Sequence, residues 1–321
     1  MTIDVSVVIA THDRVHLLEG ALRALLRQNV PDPSSFEIVV VDNDSSDGTR
    51  DLVRSFAKTS PTPVRYCFEP QRGLSHARNR GIGEARGGIL AFTDDDVLPD
   101  PDWVGGIVAS MERWKAHGVG GRILPQWETP PPPWLTESRF LLEALALMDS
   151  EESRPLSLPL GRGPRVWGPN MAFRRGLFER AGTFDPRLGV AGRRLFRGEE
   201  VDLIERALRL GSTIAYDATL VVRHRIGADR MRRSYFRKLI YDRAVGHARV
   251  TPPPLSRALF GAPLGAYRTP ATRLLRWTAL QALARPGAFE AELSLLDSVG
   301  RLVGCWRRPR AGESETVPKG S

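Results

Sequence analysis

Apolar runs and amphipathic segments alternate along the first hundred residues, and this alternation restricts the fold more than any other feature. Each apolar run is four to six residues long, which suits a buried strand, and the intervening segments carry apolar residues at helical spacing. Strands separated by helices of this length predict βαβ units and a parallel sheet. The predicted strands are Val5–Ala10, Phe36–Val41, Val64–Phe68 and Ile89–Phe92, and the predicted helices are His16–Asn29, Thr49–Lys58 and Ser75–Arg86.

Polar clusters directly follow three of these strands, namely Thr11–Arg14, Asp42–Asp44 and Asp94–Asp96. Because parallel α/β sheets bind ligands beyond the carboxyl ends of their strands, we expect the clusters to form one site. Three adjacent aspartates repel one another, and a divalent cation bridging a diphosphate would compensate that repulsion. A carboxylate such as Asp42 can accept hydrogen bonds from a base or a ribose. The structural alternatives are a solvated acidic turn for the aspartates and an Asx turn after the second strand.

The chain changes character beyond the first hundred residues. The proline run Pro130–Pro133 excludes a helix or a central strand and begins a long, weakly periodic segment. A helix predicted over Gly198–Gly211 carries Glu199, Glu200 and Asp202 in its first turn. The helix dipole favours acidic residues there, so simple capping competes with a role as general base. Further strands are predicted over Ser212–Tyr216 and Leu220–Val222.

The net charge of +9 indicates an anionic partner, for which nucleic acid, phosphorylated ligands and anionic lipid all qualify. Acidic clusters at three places argue against nucleic acid, whose phosphates are contacted mainly by Lys and Arg. Cys67 and Cys305 are too few for a disulfide framework, which indicates a reducing, cytoplasmic compartment. The N-terminus has no basic segment before its apolar run, so no signal peptide is expected. No apolar stretch is long enough to predict a transmembrane helix.

Six segments resemble, in the same order, segments of family 2 glycosyltransferases, and they span residues 5 to about 225. The resemblance implies an α/β fold of the GT-A type, with a Rossmann-like, mixed and mainly parallel sheet flanked by helices. It implies a nucleotide-sugar half over residues 1–100 and an acceptor half over 101–225. A basic helical extension over 226–305 and a disordered tail over 306–321 are predicted to follow. The six segments are VSVVIATHDR, VVVDNDSSDGT, GLSHARNRGIGEARG, FTDDDVLPDPDW, GPNMAFRRGLFERAGTFD and GEEVDLIERALRLG.

The same resemblance implies an inverting enzyme that uses Mg²⁺ or Mn²⁺ and a nucleoside-diphosphate sugar as donor. The acceptor would be a glycan, a lipid-linked or another hydroxyl compound in surface polysaccharide or glycoconjugate biosynthesis. Thr11 and His12 match the loop that lines the base pocket, and Asp42 matches the position that contacts the nucleobase. Arg78 matches a segment that flanks the nucleotide, and Asn170 matches a position near the donor diphosphate and the acceptor.

The aspartate run matches the Asp-any-Asp motif of the family. Asp94 and Asp96 occupy the two ends of the motif and are the expected metal ligands, with Asp96 foremost. Asp95 fills the middle position and is an alternative to either. His224 follows a late strand, where many GT-A enzymes place a metal-binding histidine, and a purely structural role is the alternative for this residue.

The catalytic base is expected at Glu200. The family usually has Glu-Asp where this chain has Glu199 and Glu200, and the aspartate is the usual base. Glu200 therefore takes that role with one additional methylene of reach. Glu199 and Asp202 are the alternatives.

Other classes of protein explain the sequence less well. A sugar nucleotidyltransferase needs a glycine-rich phosphate loop after the first strand, where this chain has ATHDR. A P-loop NTPase needs a Gly-x-x-x-x-Gly-Lys-Ser/Thr segment, which the sequence lacks. A non-enzymatic basic binding protein does not explain the acidic clusters. A catalytically inactive relative does not explain Asp94, Asp96 and Glu200.

Basic amphipathic segments in the last third predict reversible docking on the anionic inner face of the plasma membrane. Arginines between Arg223 and Arg243 are interleaved with apolar residues, and Leu274–Trp277 and Leu293–Trp306 add apolar segments with tryptophan. The structural alternative is that these helices cover the core. The apolar residues of the first stretch are Met231, Tyr235, Phe236, Leu239 and Ile240.

Overall fold

Two compact units make up the chain. The first comprises Met1–Gly192 and Gly198–Met231, and the second comprises Arg193–Arg197 and Arg232–Ser321. The computed structural model describes residues 3–32, 35–160, 163–189, 198–250, 258–259, 262–283, 285 and 287–306. Apart from Trp306, the predicted tail over 306–321 lies outside the described residues.

A mixed β-sheet forms the centre of the first unit. Its strands are β1 (Val5–Thr11), β2 (Phe36–Asp42), β3 (Val64–Phe68), β4 (Ile89–Asp94), β5 (Val97–Pro99), β6 (Gly118–Trp127), β7 (Arg154–Pro155), β8 (Met171–Arg174) and β9 (Ile214–Ile226). Their order across the sheet is β3-β2-β1-β4-β8-β6-β9-β5, and β7 pairs with β9. The β-branched runs of β1 and β2 suit this central place, because both faces of these strands are buried.

Helices flank the sheet, as the alternating sequence pattern predicts. The predicted strands and helices of the first hundred residues are confirmed, with small differences at their ends. The helices of this unit are α1 (Val15–Leu25), α2 (Thr49–Thr59), α3 (Leu74–Glu84), α4 (Trp103–Arg113), α5 (Pro133–Thr136), α6 (Arg139–Ala144), α7 (Arg175–Ala181) and α8 (Glu199–Arg209).

The sheet has two differently built parts. The pairings β1–β2, β1–β4 and β2–β3 are parallel, whereas β8 pairs antiparallel with both β4 and β6. Among the described residues, four pairings in this sheet are parallel and four are antiparallel, a larger antiparallel share than the sequence indicates. The parallel part contains the strand ends that carry the predicted polar clusters.

One prediction about the proline run is wrong. Pro133 is the first residue of α5, although the sequence predicts that the run excludes a helix. Proline lacks a backbone N–H, but the first turn of a helix has no use for that group, and the fixed φ of proline suits this position. The last proline of the run is therefore the first residue of α5.

The two strands predicted over Ser212–Tyr216 and Leu220–Val222 form the single strand β9. Its register on β6 shifts at Gly121, which lies opposite the segment Asp217–Leu220. The polar residues that interrupt the apolar pattern form this irregularity, because Asp217 accepts hydrogen bonds from both the N–H and the hydroxyl of Thr219. A β-bulge thus replaces the predicted break.

Gly121 marks a close approach of β6 and β9. A Cβ atom at this position would lie 2.2 Å from the carbonyl oxygen of Leu220 and 2.5 Å from that of Asp217. We expect Gly121→Ala to lower the free energy of unfolding by about 1–3 kcal/mol, because the backbone must move to accept the methyl group.

Gly83 on α3 provides the matched control, since a Cβ there meets nothing within 4 Å. Gly83→Ala should raise the free energy of unfolding by about 0.5–1 kcal/mol, because alanine favours the helix. Urea denaturation of both variants measures the two changes. An unchanged or raised free energy of unfolding for Gly121→Ala would contradict the close approach at Gly121.

The second unit consists mainly of helices. Phe236, Leu239 and Ile240 on its first helix are buried, so the apolar side chains of the predicted membrane-binding stretch belong to the packed interior. Arg237 is paired with Glu292. Within the described residues, every helix is too short or too polar to cross a bilayer. The elements are α9 (Arg233–Val250), β10 (Ala258–Leu259), β11 (Ala262–Pro263), α10 (Leu264–Ala282) and α11 (Ala288–Trp306).

Candidate active site

The parallel pairing of β1, β2 and β4 brings the three polar clusters to one edge of the sheet. In the register, Thr11 lies opposite Asp42, and Ala10 lies opposite Asp94. Thr11 and Asp42 are each only 3% exposed, so this edge holds polar side chains in a largely buried setting. The predicted clustering of these residues follows directly from the strand order.

Asp42 lies at the end of β2 and accepts two hydrogen bonds. The hydroxyl of Tyr66 donates to Oδ2 at 2.7 Å, and the N–H of Ser45 donates to Oδ1 at 2.8 Å. Arg50 lies over the ring of Tyr66, with 5.4 Å between the guanidinium carbon and the ring centre. The bond from Ser45 closes the turn after β2, so the carboxylate has a structural role at the same edge where a base would bind.

Asp95 points toward β1 and the residues that follow it. The hydroxyl of Thr11 donates to Oδ2 at 2.8 Å, and Nη1 of Arg14 donates to Oδ1 at 2.7 Å. Burial raises the pKa of Asp95 to about 7, against the opposing effect of Arg14. Both oxygens of this carboxylate are therefore engaged within the protein.

Asp96 shares Arg14 with Asp95 and also contacts His224 on β9. Val97 on β5 lies opposite His224 on β9, and this antiparallel register places Nε2 of His224 3.4 Å from Oδ1 of Asp96. Arg230 and Arg14 approach Oδ2 of Asp96 at 3.1 and 3.2 Å. Burial alone would raise the pKa of Asp96, but His224, Arg230 and Arg14 hold that pKa below its ordinary value. Asp96 is therefore ionised at neutral pH.

Arg78 is a buried cation that joins β4 to α8. Its Nη2 donates to Asp94 at 3.1 Å and its Nη1 to Glu199 at 2.7 Å, while the guanidinium lies over the ring of Phe184. The side chain of Arg78 is 3% exposed, whereas that of Asp94 is 27% exposed. Because Nη1 and Nη2 are directed at protein carboxylates, Arg78 positions other site residues rather than presenting itself to a ligand.

Three carboxylates lie in the first turn of α8, which begins after Gly198 in a left-handed conformation with φ of 119°. Glu199 is paired with Arg78, and Asp202 is paired with Arg206 at 2.9 Å, four residues along the helix. Glu200 is buried in the same turn. The two alternatives to Glu200 as base are thus each held by an arginine.

Asn170 serves the interior of the first unit. Its Oδ1 accepts a hydrogen bond from the indole N–H of Trp103 at 2.8 Å. Its Nδ2 donates to the carbonyl oxygens of Arg122 and Leu220 at 2.9 and 3.0 Å. The amide is 1% exposed and its polar atoms are bonded to protein, so in this structure they are not directed at solvent.

His12 lies in the turn after β1 with a half-exposed side chain. Its Nε2 is 3.4 Å from Asp13, which adopts a positive φ of 50°. Asp13 in turn accepts hydrogen bonds from the N–H and the hydroxyl of Ser46, which ties this turn to the turn after β2. The two predicted base-pocket segments therefore lie side by side.

Tyr66 and Arg230 were not singled out from the sequence as site residues, and Arg14 was included only as a member of the cluster Thr11–Arg14. Arg14 and Arg230 bind the aspartates, and Tyr66 binds Asp42. Arg14 directly follows the Thr-His-Asp segment, so its position was the available signal. Neither Tyr66 nor Arg230 belongs to a pattern that marks a site.

The site offers only part of the ligand set that a divalent cation needs from the protein. Among the described residues, no group of three or more His, Cys, Asp or Glu side chains converges on one point. The oxygen of Asp96 and the nitrogen of His224 are 3.4 Å apart, a separation that suits two ligands of one ion. Because Mg²⁺ is typically held by one or two carboxylates together with substrate phosphates, this pair fits such an ion. Arg230 contacts both side chains and would have to give way.

The sequence from residue 6 to residue 182 matches the family described as Glycosyl transferase family 2, which is more than half of the chain. The chain belongs to glycosyltransferase family 2. The matched residues include β1, β2, β4 and α3, and so contain most of the polar edge described above. The protein is accordingly a glycosyltransferase.

Several curated proteins are similar to this family 2 member. The glucosyl-dolichyl phosphate glucuronosyltransferase of Haloferax volcanii is 25% identical over 226 residues, which are 69% of each chain. The succinoglycan biosynthesis protein ExoM of Rhizobium meliloti is 29% identical over 43% of this chain and 45% of its own length. The validoxylamine A glucosyltransferase of Streptomyces hygroscopicus subsp. limoneus is 40% identical over 33% of this chain but only 23% of its own.

Solved structures share the GT-A fold with this glycosyltransferase. The mannosyltransferase PcManGT from Pyrobaculum calidifontis, in complex with GDP-Man and Mn²⁺, gives a TM-score of 0.61 at 19% identity, over 94% of this chain and 88% of that one. S. aureus TarS in complex with UDP gives 0.53 at 15% identity, over 95% and 91%. The predicted mixed α/β fold with a helical C-terminal region is confirmed.

Proposed function

We propose that this family 2 glycosyltransferase moves a sugar from a nucleoside-diphosphate sugar to an acceptor hydroxyl, with inversion and with the help of Mg²⁺ or Mn²⁺. The observation that carries the proposal is the ionised Asp96 facing His224 at the edge where the parallel strands end. Structural neighbours that were solved with UDP, or with GDP-Man and Mn²⁺, support the choice of donor and metal.

The donor is proposed to bind across the carboxyl ends of β1, β2 and β4. Asp42 accepts hydrogen bonds from the base, and the turn containing Thr11 and His12 lines the base pocket. Asp94 is the partly exposed end of the Asp-any-Asp motif and faces the ribose or the sugar. Arg78 supports this arrangement through its hydrogen bond to Asp94.

Asp96 and His224 would hold the metal ion, which when bound supplies Lewis-acid stabilisation of the leaving diphosphate. Glu200 takes the proton from the acceptor hydroxyl. The acceptor oxygen forms a bond to the anomeric carbon as the bond to the diphosphate breaks, and the nucleoside diphosphate departs on the opposite side. A single in-line displacement of this kind inverts the anomeric configuration.

The acceptor is proposed to be a glycan or a lipid-linked compound. Relatives whose names refer to dolichyl phosphate and to succinoglycan biosynthesis support this choice. Residues 1–100 would form the nucleotide-sugar half, residues 101–225 the acceptor half, and residues 226–305 a basic helical extension. Cys67 and Cys305 are both buried and too few for a disulfide framework, in keeping with a proposed cytoplasmic location.

A donor panel tests the reaction. We expect release of a nucleoside diphosphate from one of a set of UDP- and GDP-sugars when Mn²⁺ or Mg²⁺ is present. EDTA should abolish the release and added Mn²⁺ should restore it, because Asp96 and His224 alone leave the diphosphate charge uncompensated. Chromatography identifies the nucleotide, and proton NMR of the product reports the anomeric configuration.

Two results would count against the proposal. Formation of a nucleoside triphosphate and a sugar 1-phosphate when pyrophosphate is added to the donor, without release of a nucleoside diphosphate, would indicate a sugar nucleotidyltransferase. Full activity in EDTA would remove the metal from the mechanism and leave Arg14 and Arg230 as the groups that compensate the diphosphate.

A further inference from the structure

Helix α10 of the second unit, together with the residue that follows it, presents an outward surface that is both apolar and basic. Leu275 and Leu283 are 71% and 66% exposed. Arg268 and Arg276 are exposed on the same helix, and neither forms an ion pair with a described residue. The solvent-facing side of a helix is ordinarily polar, so leucines at this level of exposure require a cause.

The opposite side of α10 is held by α11. Arg273 donates to the carbonyl oxygen of Ser294 at 2.6 Å and lies 3.2 Å from the carboxylate of Asp297. Residues two positions apart on a helix point about 200° away from each other, so Leu275 faces outward when Arg273 faces α11. The exposed surface is therefore a fixed face of a packed helix.

Charge is segregated within the second unit. Seven arginines and no Asp or Glu occur between Asp242 and Glu290 in the sequence, the stretch that includes α10. Acidic side chains of α9 and α11 are engaged in ion pairs, as shown by Asp242 with Lys238 and Glu292 with Arg237. The outward face of α10 consequently keeps its positive charge.

We propose that the outward face of α10, defined by Arg268, Leu275, Arg276 and Leu283, docks the protein on an anionic phospholipid surface. Arginines attract anionic headgroups, and leucines between them enter the apolar boundary below the headgroups. The inference stands on the second unit alone and does not depend on the proposed reaction.

The geometry favours a lipid surface over a second copy of the chain. A two-fold dimer buries the same patch of both copies, and would bring Arg268 and Arg276 of one copy close to those of the other. An anionic surface instead complements the acid-free stretch. The stretch predicted from the sequence, between Arg223 and Arg243, lacks this combination, because Phe236, Leu239 and Ile240 are buried.

Cosedimentation of the full chain with vesicles tests the proposal. We expect binding to vesicles of equal parts phosphatidylcholine and phosphatidylglycerol, little binding to pure phosphatidylcholine, and weaker binding as salt rises. The double variant Leu275→Glu and Leu283→Glu should lower the partition coefficient about tenfold or more. The double variant Arg268→Glu and Arg276→Glu should do the same, whereas lysine at both positions should retain binding.

Leu210→Glu is the matched control, because Leu210 is an exposed leucine of the first unit and the substitution is of the same kind. This variant should bind vesicles as the unaltered chain does. Near-ultraviolet circular dichroism checks that every variant keeps its tertiary packing.

Three results would overturn the proposal. The first is equal binding to neutral and anionic vesicles, and the second is unchanged binding by both α10 double variants. The third is a dimer in sedimentation velocity without lipid that the leucine variant dissociates, since a second copy would then cover this face.

Discussion

Glu200→Gln is expected to lower kcat by about 10²- to 10⁴-fold while donor affinity stays unchanged. Glutamine has nearly the same size and can accept a hydrogen bond, but it cannot take a proton from the acceptor hydroxyl. The loss should therefore fall on the chemical step. Initial rates at saturating donor and acceptor measure kcat, and titration calorimetry with the unreacted donor measures affinity.

Asp202→Asn is the control for Glu200→Gln, because Asp202 lies in the same turn of α8 and is paired with Arg206. The control variant should retain nearly all activity. Normal turnover by Glu200→Gln together with a strong loss in Asp202→Asn would show that the base has been assigned to the wrong carboxylate.

Asp96→Asn is expected to remove transfer activity, with a loss of about 10³-fold or more, because Lewis-acid assistance is worth several kcal/mol of barrier. An amide is a far weaker ligand for a hard cation than a carboxylate is, and the substitution would also leave Arg14 and Arg230 without their shared anion. Electron paramagnetic resonance measures binding of Mn²⁺ in the presence of a nucleoside diphosphate, and near-ultraviolet circular dichroism shows whether the variant keeps its fold.

Asp95→Asn provides the comparison for this test. The carboxylate of Asp95 is bonded to Thr11 and Arg14, whereas that of Asp96 faces His224 on β9. This variant should keep its response to Mn²⁺, even if turnover falls. If Asp95→Asn loses the Mn²⁺ signal and Asp96→Asn retains it, the ion is held on the side of β1 and not beside β9.

The parallel half of the sheet could be predicted because its signals are local. Each strand from Val5 to Phe92 is a short apolar run, most of them end at a polar cluster, and parallel pairing brings those ends to one edge. The placement of Thr11, Asp42 and Asp94 follows from that logic. Apolar periodicity alone was enough to identify the edge that carries the candidate site.

Strand β6 was not predicted, because close packing determines its sequence and leaves no periodic apolar pattern. Cβ atoms at Gly118 and Gly120 would lie 2.5 Å from the ring of Phe173 and from the carbonyl oxygen of Asn170. The glycines thus reflect neighbours that are about fifty residues away in sequence. In the sequence alone, these glycines indicate a loop.

The side chains that surround Asp96 could not be predicted from local sequence patterns either. The pairing of β5 with β9 joins segments separated by more than a hundred residues, and it is this register that sets His224 against Asp96. Family resemblance pointed to His224, but nothing in the sequence placed Arg230 beside it. Long-range antiparallel pairing has to be seen in three dimensions.

Arg78 connects the end of β4 with the first turn of α8, two segments that are far apart in the sequence. Removing Asp94 or Glu199 would leave a buried guanidinium with less of the carboxylate charge that compensates it, and removing Arg78 would leave both carboxylates without this partner. Substitutions at these three positions are therefore non-additive in their effects on stability. A substitution at the end of β4 therefore changes the electrostatic environment of the first turn of α8. Substitutions in one of the two segments constrain which substitutions the other can accept.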